Sequence, residues 1–499
     1  MSSVRRLYDT FITVSTKIWW LWPIIAAVFT YALVMSAAIG QAVWFDEGYS
    51  ILLAKQPVGE LIALTGVDAH PPFYYLLLKA WAYIFGWGEC ALRSLSALFA
   101  AGTVVAVFLI VRKLFTVRTA LAILPFLVLA PFALRYGYEI RMYALASFIG
   151  ALATLVLVYA YKAKTAKLWV LYAALVALGM YTLYMMAAIW LAHAVWLLFV
   201  SRKNLKNVFR QPWVRAYIFA IVLFAVYLPT FFFQLTHSAL PGIGNELTLT
   251  RLSDIASMAI SFTPEWKLSG LASLAILVIV GLVIYLLAVI RRAIPRAQRT
   301  GLWLMVGLVV IPLVFFALTS IGKPIFVNRY MAHVIIYSYA LIGLAVALGW
   351  RYGRRLEAGI LAIVSLGMLI GGVMTLQTTG NYVFERMQRA ETNEIRRTIT
   401  CDKDTVIVAD DPYTYIDSDY YFDNCDLRFY STTSVEKKGG YAPLHDSPDR
   451  ISSAAEVNSR EIIHLHWDGA EASFVPDDKY VLIQSTVFGK QVVDRYELK

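Results

Sequence analysis

The chain has 499 residues, 59% hydrophobic and 15% charged, with a mean hydropathy of +0.63. Apolar stretches near the ~20 residues that cross a bilayer recur over its first three quarters, which excludes a soluble globular protein and predicts a polytopic membrane protein. The net charge of +11 is partitioned: residues 1–375 carry 30 Lys and Arg against 11 acids, residues 376–499 carry 14 against 22. Basic residues gathered in short loops between spans report a membrane face, so nucleic acid is excluded as the partner behind the high pI.

In chain order, "MSSVRRLYDTFITVSTK" leads into the first apolar run with no small-residue cleavage pattern after it, so a retained first helix with a cytoplasmic N-terminus is expected. The predicted spans are 18–40, 92–111, 118–135, 142–161, 168–183, 185–200, 213–233, 270–290, 301–320, 331–350 and 356–375, about eleven transmembrane helices. The 168–200 run is divided at "GMYTLYMM". With this count every basic cluster, from Arg5-Arg6 through "RKNLKNVFR" and "RRAIPRAQR" to "RYGRR", falls on one side. Residues 71–87 are apolar but short, with Lys79 inside, and a span there would invert every later loop. They are read as an interfacial or re-entrant helix opening at Pro71-Pro72. The other face then collects 41–91, 136–141, 234–269, 321–330 and an acidic domain, residues 376–499.

That domain reads as small α/β, with strands at "DTVIVAD" (404–410), "EIIHLHW" (461–467), "KYVLIQST" (479–486) and "VVDRYEL". Parallel pairing is plausible. Cys401 and Cys425 pair if the domain lies outside the cytoplasm and are free thiols otherwise; Cys90 stands alone. No Asn-x-Ser/Thr sequon occurs, in keeping with a prokaryotic source.

"VWFDEGYS" (43–50) places adjacent carboxylates, Asp46 and Glu47, just past the first span. They either solvate the helix exit or serve chemistry: a carboxylate held at the interface can take a proton from an acceptor hydroxyl. Asp68 and His70 precede the proline pair. His70 can donate to a phosphate or ligate a divalent ion with a nearby acid, or bond to loop backbone; a lone Asp-x-His leaves these open. In "RYGYEIRMYALA" (135–146), Glu139 and Arg141 stand on the acidic face. They form either an aromatic belt with snorkelling arginines or a site for an anion such as a substrate phosphate. Lys323 and Arg329 repeat the pattern before the 331–350 span. His193 reads as a packing histidine, and His237 starts the 234–269 loop without forming a pattern. His464 and His466 share a strand face but lack a second ligand pair. "DDPYTYIDSDYYFDN" (410–424) suits carbohydrate contact or a solvated surface.

Taken together, Asp46-Glu47, "HPPFYYLLLKAW" (70–81), "LRSLSALFA" (92–100), "YEIRMYALA" (138–146) and "NRYMAHVIIYSYALI" (328–342) resemble, in order and spacing, the polytopic C-type glycosyltransferases that use polyprenyl-phosphate sugars. Within these the chain is similar to the protein O-mannosyltransferase and lipid A aminoarabinose transferase family. The resemblance implies a C-type glycosyltransferase fold at 1–375 and a small extracytoplasmic α/β domain at 376–499. It implies Asp46 as the acid engaging the acceptor nucleophile, Glu47 as its acidic neighbour, and a substrate site containing Asp68, His70, Tyr74, Glu139, Arg141, Lys323 and Arg329. The implied reaction is inverting transfer of a sugar from a polyprenyl-phosphate donor to a hydroxyl of a glycolipid, envelope glycan or protein at the outer face of the cell membrane. A divalent metal is possible, with Asp68 and His70 as candidates, but not demanded.

Two departures stand out. Gly48-Tyr49-Ser50 follows the acidic pair where some relatives have an arginine, and the C-terminal domain is not a repeated β-trefoil. The rival reading, a transporter or flippase for a lipid-linked or anionic substrate, predicts ionisable pairs at mid-membrane and internal repeats. Neither is visible in the sequence.

Overall fold

The computed structural model describes residues 13–163, 165–236, 270–319, 328–379, 383–432, 439–469 and 473–499. The chain divides into two compact units. One comprises Met1–Ala37, Arg93–Pro229 and Gly242–Gly380; the other comprises Ala38–Leu92, Thr230–Pro241 and Asn381–Lys499.

The first unit is helical. Among the described residues, seven helices are long and apolar enough to cross a membrane: Leu21–Ala38, Glu89–Leu114, Tyr143–Ala163, Pro212–Thr236, Arg296–Thr319, Arg329–Arg351 and Arg355–Gln377. Val117–Val128, Ala166–Met180, Tyr184–Val200 and Leu274–Ile290 are shorter apolar helices, so each of the eleven predicted spans coincides with a helix. One differs in form. The 118–135 span is broken at Ala130, which is extended because it precedes Pro131; a second helix, Pro131–Gly137, then begins. The expected division of 168–200 falls at Tyr181–Leu183, ahead of a 3₁₀ turn at Tyr184–Met186. There the two helices approach so closely that a β-carbon on Gly179 would strike the Trp190 ring.

Burial identifies the hub of the bundle: 89% of the apolar window of Arg329–Arg351 is buried, against 28% for Leu21–Ala38 and 22% for Pro212–Thr236. The peripheral helices expose Val28, Phe29, Ile221 and Val226, the surface that lipid covers. Several polar groups inside the bundle are paired, as a low-dielectric interior favours. His193, read as a packing histidine, lies 2.9 Å by its Nε2 from Thr154 Oγ1 and 3.0 Å by its Nδ1 from Tyr172 Oη. Tyr337 Oη joins Thr154 at 3.1 Å, and Tyr217 donates to the Trp190 carbonyl at 2.7 Å. His333 Nε2 is 3.2 Å from the Met185 carbonyl.

The second unit contains α1 (Phe45–Lys55), α2 (Phe73–Phe85), α3 (Val383–Thr398) and α4 (Pro412–Tyr421). Its sheet has β1 (Thr405–Ala409), β2 (Asp426–Tyr430), β3 (Arg450–Ile451), β4 (Glu461–Trp467), β5 (Tyr480–Phe488) and β6 (Gln491–Leu498) in the order β3-β2-β1-β4-β6-β5. All four predicted strands are present. β1 pairs in parallel with β2 and β4, whereas β6 runs antiparallel to both β4 and β5. The β5–β6 turn passes through Gly489 at φ 63°, where a side chain would be strained. All five residues of β1 are buried, as expected of a central parallel strand, and Val406, Val408, Tyr430, Ile462 and Phe474 form a core beneath the sheet. Cys401 and Cys425 form a disulfide just before β1 and β2. The 73–85 segment is a 13-residue helix, too short to span, as its sequence predicts.

Candidate active site

The acidic pair opens α1. Trp44, extended at φ −118° and ψ 170°, precedes the helix, and Asp46 and Glu47 occupy its first turn, where carboxylates complement the helix dipole. Both are nonetheless buried: Glu47 is 0% exposed and Asp46 9%. A wet helix exit is therefore the wrong picture for these two acids. Glu47 Oε2 accepts a hydrogen bond from Arg389 Nη1 of α3 at 2.7 Å, and the same nitrogen donates to the Ala42 carbonyl. Arg389 is 1% exposed. Removing either partner of such a buried pair strands a charge at a cost of about 3–5 kcal/mol.

The glycine that departs from some relatives has a local cause. A β-carbon on Gly48 would lie 2.9 Å from the Ile416 carbonyl oxygen of α4, so a larger residue would push this helix away. Asp411 caps α4 by accepting from the amides of Tyr413 at 2.8 Å and Thr414 at 3.1 Å, and Pro412 fills the first helical position, where its missing N–H is harmless. Thr414 through Ser418 are buried, so this stretch of the acid- and tyrosine-rich segment is not a solvated surface. Burial, then the charge of Asp411, holds the Asp417 carboxyl well above the usual carboxylate range; Arg389 opposes the shift, while Asp46 and Glu47 add to it. Burial also raises Asp411. Asp411, Asp46 and Glu47 thus act on the Asp417 carboxyl in one direction and Arg389 in the other.

Other sequence candidates join the same unit. Asp68 and His70 are both buried, with Oδ2 and Nδ1 3.4 Å apart, and Tyr74 is fully buried on α2 with its ring 5.9 Å from that of Tyr75. The Val67 carbonyl accepts from the Gly439 amide at 3.0 Å, tying this loop to the C-terminal segment. An open cavity of about 560 Å³ is lined by Tyr83, Trp87, Tyr420 and Tyr421, with Lys55, Glu89 and Asp423 among them. Glu89 organises it by accepting from Tyr421 Oη at 2.6 Å and Arg396 Nη1 at 2.7 Å. Aromatic faces interleaved with charged groups match a sugar, whose C–H face is apolar and whose rim is hydroxyl.

Glu139, Arg141 and Arg329 lie in the helical unit. Arg135 Nη1 is 3.5 Å from Glu139 Oε2, and the Arg135 guanidinium lies over Tyr136 at 4.7 Å. Ser96 Oγ donates to the Glu139 carbonyl at 2.7 Å, and Arg93 faces the Tyr138 ring at 5.9 Å. Arg135 and Arg141 are each 3% exposed, so neither snorkels to water. Arg329 sits on a 3₁₀ turn, Asn328–Met331, ahead of the hub helix. Lys323 and His237 lie outside the described residues.

Sequence reading missed Arg389, Asp411 and Asp417. The only available signal was the acid-rich 410–424 segment; nothing local marks Arg389, which lies 342 residues from Glu47.

A family model described as Dolichyl-phosphate-mannose-protein mannosyltransferase matches residues 69–229. The fold is similar to that of ArnT from Cupriavidus metallidurans bound to undecaprenyl phosphate, with TM-score 0.62 and 13% identity over 95% of this chain and 98% of that one. The same protein in its apo state gives TM-score 0.61 and 13% identity over 96% and 98%. The oligosaccharyltransferase of Archaeoglobus fulgidus in complex with Zn and sulfate gives TM-score 0.49 and 11% identity over 88% of this chain and 67% of that one. No curated protein matches the chain by sequence. The resemblance is thus met by a family model over residues 69–229 and by a fold similar to that of ArnT.

Proposed function

We propose that the protein is an inverting glycosyltransferase that moves a sugar from a polyprenyl-phosphate donor to an acceptor hydroxyl on the outer membrane face. The observation that carries this reading is the division of labour in the buried acidic pair: Glu47 is committed to Arg389, and Asp46, on the same helical turn, is assigned as the base. The undecaprenyl phosphate named for the ArnT structure supports a lipid-linked donor. The Cys401–Cys425 bond supports an oxidising compartment for the C-terminal domain, in keeping with the charge partition along the sequence.

In this mechanism Asp46 takes the acceptor proton while the hydroxyl oxygen bonds to the anomeric carbon. The bond from that carbon to the phosphate oxygen breaks on the opposite face, which inverts the centre. The phosphate leaves as an anion, so it needs cations rather than a general acid, for which the resemblance implies His70, Arg141, Lys323 and Arg329; Asp68 orients His70, and Glu139 pairs with Arg135. Tyr74 lines the substrate site from α2. Asp68 and His70 supply two donors, short of the three protein ligands of a catalytic metal site, and no step requires a metal. The aromatic cavity at Tyr83, Trp87, Tyr420 and Tyr421 suits the sugar or glycan part of an acceptor.

The test is transfer in liposomes from a defined polyprenyl-phosphate sugar, with Asp46→Asn beside the parent. Loss of transfer in a variant that still forms the Cys401–Cys425 bond is expected; undiminished transfer removes Asp46 from the chemistry. Movement of an intact lipid-linked sugar across sealed vesicles without donor cleavage favours a flippase instead.

A further inference from the structure

The C-terminal sheet gathers two histidines and two aspartates that the transferase reading does not use. His464 and His466, at positions i and i+2 of β4, point to one face, and the antiparallel register sets Asp494 of β6 directly opposite His464. Asp410, just beyond β1, completes the group. The sequence shows only the His-x-His pair, because its partners arrive from the strands on either side.

Their hydrogen bonds define which atoms remain for a ligand. Asp410 Oδ2 lies 3.2 Å from His464 Nε2 and also accepts from the Ser473 amide at 3.0 Å. With Nε2 donating to Asp410, the lone pair of His464 is on Nδ1, which is buried and has no hydrogen-bond partner among the described residues. A carboxylate that fixes one histidine nitrogen so that the other faces an ion is the usual outer shell of a metal-bound histidine. His466 Nδ1 lies 3.3 Å from the Trp467 carbonyl, which can take only a donor, so the tautomer protonated at Nδ1 leaves Nε2 as the acceptor. That Nε2 sits 3.1 Å from Asp494 Oδ2. In that tautomer two acceptors face each other, and a cation between them takes the place that a proton on Nε2 would otherwise fill. An ion with tetrahedral bonds of about 2.0–2.2 Å holds its ligands about 3.3 Å apart.

We propose that His464, His466 and Asp494 bind a divalent transition-metal ion, with Asp410 orienting His464, and that this ion staples β4 to β6. One ligand atom from each of the three already lies within 4.8 Å of the others. The imidazoles select a zinc-like ion over magnesium or calcium, which prefer all-oxygen sites. His466 and Asp494 are partly exposed and give the ion its entry, while His464 is closed off behind them.

The experiment uses the full chain in detergent, purified with a histidine-free tag, stripped with chelator and titrated with Co²⁺ as a spectroscopic probe. One equivalent per chain, with the visible bands of a low-symmetry nitrogen–oxygen site, is expected, displaced by Zn²⁺ and not by Mg²⁺ or Ca²⁺. His466→Ala and Asp494→Asn each abolish that equivalent, and Asp410→Asn weakens it roughly 10- to 100-fold. These variants leave the fully buried His464 in place, and retention of the Cys401–Cys425 bond reports that the domain has folded. The proposal is overturned if the parent takes up no Co²⁺, if His466→Ala binds as the parent does, or if the equivalent vanishes in Asp68→Asn instead. In those cases the four residues are two hydrogen-bonded Asp–His pairs and nothing more.

Discussion

The helical unit and the sheet-bearing unit bury charge of opposite sign. The helical unit holds Arg93, Arg135 and Arg141, all at least nine-tenths buried, with Glu139 paired to Arg135; the other holds buried Asp46, Glu47 and Asp417, with Glu47 paired to Arg389. An excess of buried acid can relieve itself, because a carboxylic acid can take up a proton, and the Asp417 carboxyl is shifted in that direction. A guanidinium has no such escape, since it does not lose its proton in a protein. Buried acid is therefore the chemistry proposed for taking a hydroxyl proton, and buried arginine that proposed for a phosphate that arrives already charged.

The largest effect that would break this contrast concerns Asp46. Asp46→Asn should lower kcat roughly 10²–10⁴-fold, the usual range for a lost general base, with little change in thermal stability. A loss of stability in proportion to activity would reduce Asp46 to a structural acid. Next comes the cation paired with Glu47. Arg389→Ala should destabilise the fold by about 3–5 kcal/mol by stranding Glu47, and Arg389→Ala combined with Glu47→Gln should recover most of that loss in denaturant unfolding. Failure of the double variant to recover would separate the two residues energetically despite their 2.7 Å contact.

Arg141→Ala and Arg329→Ala address the other unit. Each should lower kcat/KM for the lipid donor roughly 10- to 150-fold, the equivalent of about 1.5–3 kcal/mol for a charged hydrogen bond, and leave the acceptor KM near its parental value. Acceptor-selective effects would contradict their assignment to phosphate.

The smallest effect sharpens the role of Asp417. Its carboxyl titrates higher in the folded chain than in the unfolded one, so folding favours the protonated form. The stability it contributes is complete below the ordinary carboxylate range and disappears as pH rises through the raised value. Asp417→Asn, neutral at every pH, should flatten the fall in melting temperature as pH rises above the ordinary carboxylate range and should leave the neutral-pH value equal or higher. An unchanged slope would mean that other groups, such as Glu391, also raised by burial, dominate it.

Much of the fold was legible because the signals are local. Apolar length marked the spans, basic clusters ordered them, and alternation marked the four strands found at 405–409, 461–467, 480–488 and 491–498. The break at Ala130 was missed, although Pro131 stands in the sequence, because apolar continuity outweighed one proline. At the candidate site the acids of α1 were visible as an unusual pair after a span. Arg389 and Asp417 were not, because neither carries a local pattern: Arg389 pairs with Glu47, 342 residues away, and Asp417 feels Arg389, Asp46 and Glu47 besides nearby Asp411.

The sequence by itself determined that this chain lives in a membrane, where its helices begin and end to within a few residues, and that acid collects in the segments away from its basic loops. Hydropathy and loop charge are sums over neighbours in the chain, and a bilayer responds to those sums directly. Only the tertiary structure decided that Glu47 answers to Arg389, that Gly48 makes way for the Ile416 carbonyl, and that His464 and His466 meet Asp494. Those choices rest on helix packing and strand register, which bring distant segments within a few ångströms, and no window along the sequence contains both partners.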